Sequence, residues 1–244
     1  MAACVVVGCP AATAGAQPAP YPIWYPDRLM SPTTPLVGPD PNIPLSSADR
    51  TVIAIEGGIG AGKTTTASLV ADLLAVPAIL EDTDRHPFLP AFYAHPSKYA
   101  LETELGFVLL HAHELKRVEA PLCIADFSIT KDLVFAKLSL QGEEFAVFQS
   151  VYEWATNSLG KPRLVIFLDI AVETMLQRIR MRGRSFELGI SEAYLARLAT
   201  EYHSHMDALG DEVVRFSVQV GANRDDVARA IHTLVSDWLK RPRG

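Results

Sequence analysis

The stretch Gly57-Gly-Ile-Gly-Ala-Gly-Lys-Thr64 has the spacing G-x-x-x-x-G-K-[ST]. It follows an apolar, β-branched run and opens a helical pattern, the setting in which that spacing cradles a phosphate chain. Glycines let a loop turn backbone N–H groups onto phosphate oxygens, Lys63 adds a mobile cation, and Thr64 offers a hydroxyl to Mg²⁺. The following helix points its positive end at the same anion. Binding of a nucleoside triphosphate is therefore expected over Gly57, Gly58, Ile59, Gly60, Ala61, Gly62, Lys63, Thr64 and Thr65. A chance glycine-rich turn explains neither flank. Two carboxylates, Glu81 and Asp126, stand where further strands are expected to end, and the carboxyl edge of an open α/β sheet is where its chemistry is done. From there Asp126 can reach Mg²⁺ directly or through water. Arg178 and Arg182 are four apart and share a helix face, and Arg184 follows across Gly183, a residue suited to a hinge. Such a set can clamp a transferring phosphate as a mobile lid, although arginines on one helix face are commonly just solvated.

These residues need a scaffold, and the chain supplies one after Asp49. The runs Val52–Ile55, Ala78–Leu80, Leu122–Ala125, Leu164–Leu168 and Val214–Val220 read as five buried strands. Helical patterns lie between them at about Lys63–Leu74, Pro96–Arg117, Lys131–Leu159 with a break near Gln141-Gly142, Val172–Met181, Ser191–Leu209 and Asp225–Leu239. That alternation predicts an α/β domain with a parallel sheet over 50–244. Residues 1–49 are crowded with Pro, Ala and small polar residues, and are expected to form a disordered tail.

Composition narrows the partners. With 244 residues and a formal charge of −6, no basic face for a nucleic-acid polymer is expected, and a small-molecule partner is favoured. Three cysteines, Cys4, Cys9 and Cys123, make neither a disulfide framework nor a metal-ligand spacing. A reducing, cytoplasmic compartment is expected. No apolar stretch approaches the roughly 20 residues of a membrane helix, so no membrane partner is expected. The first residues lack the basic flank of a secretory or mitochondrial address.

A phosphate loop alone does not separate a small-molecule kinase from a GTPase or a motor, but three further blocks do. Glu81-Asp-Thr-Asp-Arg-His-Pro-Phe-Leu-Pro-Ala-Phe-Tyr93 resembles the deoxynucleoside kinase family's E-x-x-x-x-N-P-F-L-x-x-F-Y. Asp126-Phe-Ser-Ile-Thr-Lys-Asp-Leu-Val-Phe-Ala136 is similar to its D/E-R-S-x-x-x-D-x-x-F-A. Arg178-Ile-Arg-Met-Arg-Gly-Arg-Ser-Phe-Glu-Leu-Gly-Ile190 resembles its lid. The resemblance, strongest to the bacterial deoxyguanosine and deoxyadenosine kinase branch, runs in order from about Thr51 to His203. It implies a P-loop kinase fold with strand order 2-3-1-4-5, transfer from ATP with Mg²⁺ to the 5′-hydroxyl of a deoxynucleoside, and a homodimer built on residues 97–118 and 131–157. By the same resemblance Glu81 takes the 5′-OH proton, with adjacent Asp82 as the rival, and Asp126 holds the metal with Thr64. Lys63, Arg178, Arg182 and Arg184 act on the phosphates. Tyr93 and Glu187 bind the 3′-OH, and Asp132 belongs to the acceptor site.

Four positions depart from the family's pattern. Glu104 stands in place of a base-reading Gln, and an ionised carboxylate there would accept from N1–H and N2–H₂ of guanine. His111, seven residues on, replaces an Arg, and the two residues either read the base or simply pair with each other. Phe127 replaces an arginine near the phosphates, and His86 replaces an Asn, a difference in turn capping. The rival functions are a nucleoside monophosphate kinase, which needs extra cations for an acceptor phosphate, and a nucleotide-binding scaffold that has lost catalysis.

Overall fold

A computed structural model describes residues 50–241; the tail expected over 1–49 lies outside the described residues. Strands β1 (Thr51–Glu56), β2 (Ala78–Ile79), β3 (Leu122–Ala125), β4 (Leu164–Asp169) and β5 (Val213–Ser217) form one sheet in the order β2-β3-β1-β4-β5. All its pairings are parallel. Ile53 on the central strand faces Ile124 of β3 on one side and Leu164 of β4 on the other.

Eight helices join and cover the strands: α1 (Lys63–Leu74), α2 (Leu89–Ala94), α3 (Pro96–Lys116), α4 (Ile129–Ser139), α5 (Gly142–Leu159), α6 (Val172–Arg182), α7 (Glu192–Leu209) and α8 (Arg224–Leu239). Strand side chains alternate between two faces, so each strand feeds two cores. Ile53, Ile55, Ile166 and Leu168 pack with Val70 of α1 and with Ile231 and Val235 of α8. Ala54, Val165 and Phe167 point the other way, onto Met175 of α6 and Leu198 and Tyr202 of α7. Beside them, Cys123 and Ala125 of β3 meet Val108 of α3 and Phe148 of α5. Burial on both faces explains why the strands read as continuous apolar runs.

Local signals set the helix ends. Ser191 accepts from the Tyr194 N–H at 3.1 Å ahead of α7, and Asn223 accepts from the Asp225 N–H at 2.8 Å ahead of α8. Gly183 closes α6 at φ 70°. Differences from the expected elements are small. α4 starts at Ile129, two residues early, and the break falls at Leu140-Gln141. β2 stops at Ile79 and leaves Leu80 exposed. β5 stops at Ser217 because its partner β4 ends opposite it, at Asp169. α2 was not expected at all: Pro90 reads as a breaker, yet it sits in the first turn, where no N–H is needed.

Candidate active site

The carboxyl ends of the strands bring the chemistry-bearing residues together. The loop between β1 and α1 turns through Gly60 at φ 82° and Gly62 at φ 99°. A Cβ at Gly60 would stand 2.9 Å from the Met175 carbonyl, so a side chain is barred there twice over. Lys63 folds back on the loop, its Nζ donating to the carbonyls of Gly57 (3.0 Å) and Gly58 (3.1 Å). Burial, then the nearby Lys131, lowers its pKa. Arg178 Nη1 donates to the Ala61 carbonyl at 2.9 Å, which docks α6 on the loop.

Asp126 ties the loop to the second carboxylate. Thr64 Oγ1 donates to Asp126 Oδ2 at 2.5 Å, and the Glu81 backbone N–H donates to Asp126 Oδ1 at 2.7 Å. Burial raises the pKa of Asp126, as expected of a buried acid that lacks a cation of its own. Glu81 is held through one oxygen: its Oε1 accepts from Lys131 Nζ at 2.5 Å and from His111 Nε2 at 2.7 Å. Burial would raise this carboxyl, but Lys131 and then His111 outweigh it and hold Glu81 well below the usual carboxylate range. The rival acid, Asp82, points outward to Arg85 at 3.0 Å.

His111 is placed differently from the expectation that it contacts the base or pairs with Glu104. Its Nδ1 faces Asp132 Oδ2 at 2.9 Å while Nε2 faces Glu81, and its ring stacks on Phe127 at 4.2 Å. With both nitrogens opposite carboxylates and the side chain buried, it stands behind Glu81 and does not line the cleft described below. Burial opposes protonation, but Asp132 and Glu81 prevail and push its pKa up to about 9. Imidazolium is the form that donates both bonds. Asp132, itself fully enclosed, holds that imidazolium.

A single cleft runs from Gly60, Lys63 and Thr64 past Glu81 to Tyr93, Glu104 and Glu187. Tyr93 stacks on Phe186 at 5.7 Å. Glu187 accepts from Arg182 at 2.5 Å and from Arg184 at 3.5 Å, and Arg184 also reaches Asp84 at 3.1 Å. Arg182 and Arg184 thus turn to the Tyr93 and Glu187 part of the cleft while Arg178 stays on the phosphate loop. At the far end, Glu104 Oε1 accepts from Ser139 Oγ at 2.8 Å. Burial raises its pKa to about 8, so the ionised Glu104 expected from the sequence gives way to a neutral acid at pH 7. A second cleft on the other side of the loop is lined by Gly62, Thr65, Arg178, Val218 and Arg224.

The deoxynucleoside kinase family profile matches residues 53–237. The chain belongs to this family. Among its relatives, deoxyguanosine kinase of Bacillus subtilis (strain 168) is 33% identical over 159 residues, covering 62% of this chain and 75% of that one. Deoxyadenosine kinase of Dictyostelium discoideum is 31% identical over 183 residues, 71% of this chain and 75% of that one. In fold, the chain is similar to deoxyadenosine kinase from M. mycoides with products dCMP and a flexible dCDP bound. That match has a TM-score of 0.68 at 23% identity and covers 77% of this chain and all of that one.

Two residues of this deoxynucleoside kinase-family site escaped the sequence reading. Glu56 ends β1 fully buried, with Ser128 Oγ donating to its Oε1 at 2.6 Å and burial raising its pKa to about 7. Its signal was an acid closing an apolar strand just before the phosphate loop. Lys131 passes in the motif as an unspecified position, but a lone cation among Ile129, Val134 and Phe135 of α4 signals a buried ammonium with a task. His86 does cap its turn, its Nδ1 accepting from the Phe88 N–H at 3.3 Å. It also reaches α3 through the Thr103 carbonyl at 3.1 Å.

Proposed function

We propose that this protein transfers the γ-phosphate of ATP, or of another nucleoside triphosphate, to the 5′-hydroxyl of a purine deoxynucleoside. The observation that carries the reading is the single cleft in which the phosphate loop, Glu81 and a pocket with Tyr93, Glu104 and Glu187 succeed one another. An acceptor phosphate would lie beside the transferring group, where the cleft presents the carboxylate of Glu81 and where Arg182 and Arg184 are already engaged by Glu187. A nucleoside therefore fits better than a nucleoside monophosphate.

With Oε1 engaged by Lys131 and His111, Oε2 of Glu81 is the oxygen left to accept the hydroxyl proton. A carboxylate of such low basicity orients the hydroxyl and takes its proton late, which suits a loose phosphoryl-transfer transition state. The 5′-oxygen bonds to the γ-phosphorus as the bond to the β–γ bridging oxygen breaks, and the proton ends on Oε2. With a donor bound, backbone amides of the loop, Lys63 and Arg178 would face the charge on the transferring group, and Arg182 and Arg184 would join them by leaving Glu187. Gly183 lets the lid close and exclude water. Among the described residues no cluster of three His, Cys, Asp or Glu side chains offers a metal cage. Thr64 and Asp126 form a hard-oxygen pair of the kind that shares Mg²⁺ with phosphates and water. When bound, the ion would neutralise charge on the β- and γ-oxygens. Tyr93 and Glu187 would hold the sugar 3′-OH, and the second cleft would take the donor base.

Glu104 supports a purine. As a neutral acid it can donate to N1 and accept from N6–H₂ of adenine, or donate to O6 and accept from N1–H of guanine. Once ionised it suits guanine alone. The test is phosphoryl transfer from ATP with Mg²⁺ to each deoxynucleoside and ribonucleoside, with Glu81→Gln as control. Turnover of deoxyguanosine or deoxyadenosine that collapses in the variant is expected. ATP binding without turnover of any nucleoside would overturn the reading in favour of a scaffold.

We also infer a homodimer through α3 and α5. Leu109 and Leu110 of α3 and Val147 and Trp154 of α5 are exposed on this packed pair, and a second copy would cover them. Sedimentation of Leu109→Asp as a monomer, beside a dimeric wild type, would support it. Among the described residues no helix is long and apolar enough to cross a membrane. The free, buried thiol of Cys123 agrees with a cytoplasmic setting.

A further inference from the structure

Lys131 is the buried cation that the transfer scheme above sets on Glu81 Oε1 without saying what the catalysis owes to it. Its side chain is 6% exposed, and its Nζ lies 5.9 Å from the ring centroids of both Phe107 and Phe135. The ammonium is thereby fixed on the wall of the cleft, 2.5 Å from Glu81 Oε1. The family's arginine position is taken by Phe127, which is fully buried and stacked on His111 at 4.2 Å. No cation can act from position 127. The charge arrives instead from α4, four residues later.

We propose that Lys131 is a positioning residue for the transfer: with His111, it clamps Glu81 through Oε1 and leaves Oε2 turned to the acceptor hydroxyl. This rests on the reading that Glu81 accepts the 5′-OH proton. Two donors on the same oxygen fix the carboxylate plane, where one would leave it free to swing. Chemical economy also argues for a role, because burying an ammonium is costly and an apolar side chain would fill the same space at less expense. The charged groups around Glu81 are Lys131 and Asp132 on α4, His111 on α3, Asp126 after β3 and Lys63 at the start of α1, with Glu56 beyond Lys131. Of these, Lys131 and His111 touch the Glu81 side chain.

The test compares kcat and KM for the wild type, Lys131→Met, Lys131→Arg and Glu81→Gln, with donor binding and melting temperature followed alongside. Lys131→Met is expected to lower kcat on the order of 100-fold with KM little changed. Lys131→Arg, which can still donate to Oε1, should restore most of kcat. If Lys131→Met does not fold, Lys131→Leu is measured in its place. A kcat that stays at the wild-type level in a folded, donor-binding variant would overturn the proposal, as would a loss confined to KM. If Glu81→Gln itself turns over normally, the assignment of Glu81 fails instead, so the two failures are distinguishable.

Discussion

Thr64 Oγ1 and Asp126 Oδ2 lie 2.5 Å apart, the hydroxyl at the start of α1 donating to a carboxylate that follows β3. Neither residue alone makes a metal site, but together they present two hard oxygens beside the phosphate loop. Asp126→Asn keeps the shape and the Thr64 contact while removing the charge. We expect it to weaken the apparent Mg²⁺ affinity by about 10- to 100-fold, with ATP binding in the absence of metal little changed. Titrating turnover with Mg²⁺ at saturating nucleoside reads this. An unchanged Mg²⁺ dependence would exclude Asp126 from the metal.

Glu187 is buried and takes bonds from both Arg182 and Arg184, so one carboxylate gathers the two arginines on either side of Gly183. If it also accepts from the 3′-OH, a 2′,3′-dideoxynucleoside should be a poorer substrate than the 2′-deoxynucleoside by about 10- to 100-fold, the worth of a charge-assisted hydrogen bond. In Glu187→Ala that discrimination should vanish, with kcat/KM for the normal substrate falling to the level of the dideoxy compound. Persistent discrimination would assign the 3′-OH to another group, Tyr93 first.

Much of this site was legible because its chemistry is local in sequence. The phosphate loop needs one unbroken run, Gly57 to Thr64, and Glu81 and Asp126 follow from where apolar strands stop. What stayed hidden depends on contacts between distant residues. That His111 faces Glu81 and Asp132 rather than Glu104 is decided by how α3 packs against β2 and α4, across separations of 30 and 21 residues. The neutral state of Glu104 is likewise a property of enclosure, which residue type cannot report. Lys131 was overlooked because a position free to vary in a motif carries no signal until its neighbours are known. The sheet order was expected from resemblance alone, whereas the alternation of β1 and β4 between two cores accounts for their continuous apolar runs.

If Glu104 reads the base as proposed, its raised pKa gives base choice a pH dependence. Its folded value of about 8 lies above the ordinary 4.5, so the acid is neutral below that pH and ionises as pH rises through it. Neutral Glu104 serves both purines, whereas the carboxylate loses its donor to adenine N1. The ratio of kcat/KM for deoxyguanosine over deoxyadenosine should therefore rise between pH 7 and 9. Glu104→Gln, which cannot ionise, should flatten the ratio. His111 titrates nearby, at about 9, and acts on both substrates alike through Glu81, so the ratio separates the two groups. A ratio independent of pH in the wild type would remove Glu104 from base recognition.

Gly106, on α3, marks where His86 crosses the helix. A Cβ there would come within 2.5 Å of His86 Nε2 and 2.9 Å of its Cε1. In an exposed helix, Gly→Ala gains about 1 kcal/mol from propensity. Here the added methyl must displace a buried ring that bonds the Thr103 carbonyl, accepts from the Phe88 N–H and stacks on Phe107 at 4.2 Å. Overpacking of this kind costs about 1–3 kcal/mol, so Gly106→Ala should destabilise on balance. The second substitution decides the cause. With His86→Ala as background the clash is gone, and Gly106→Ala should become neutral or stabilising in denaturant unfolding. The same loss in both backgrounds would mean that the helix, not the histidine, demands glycine at this position.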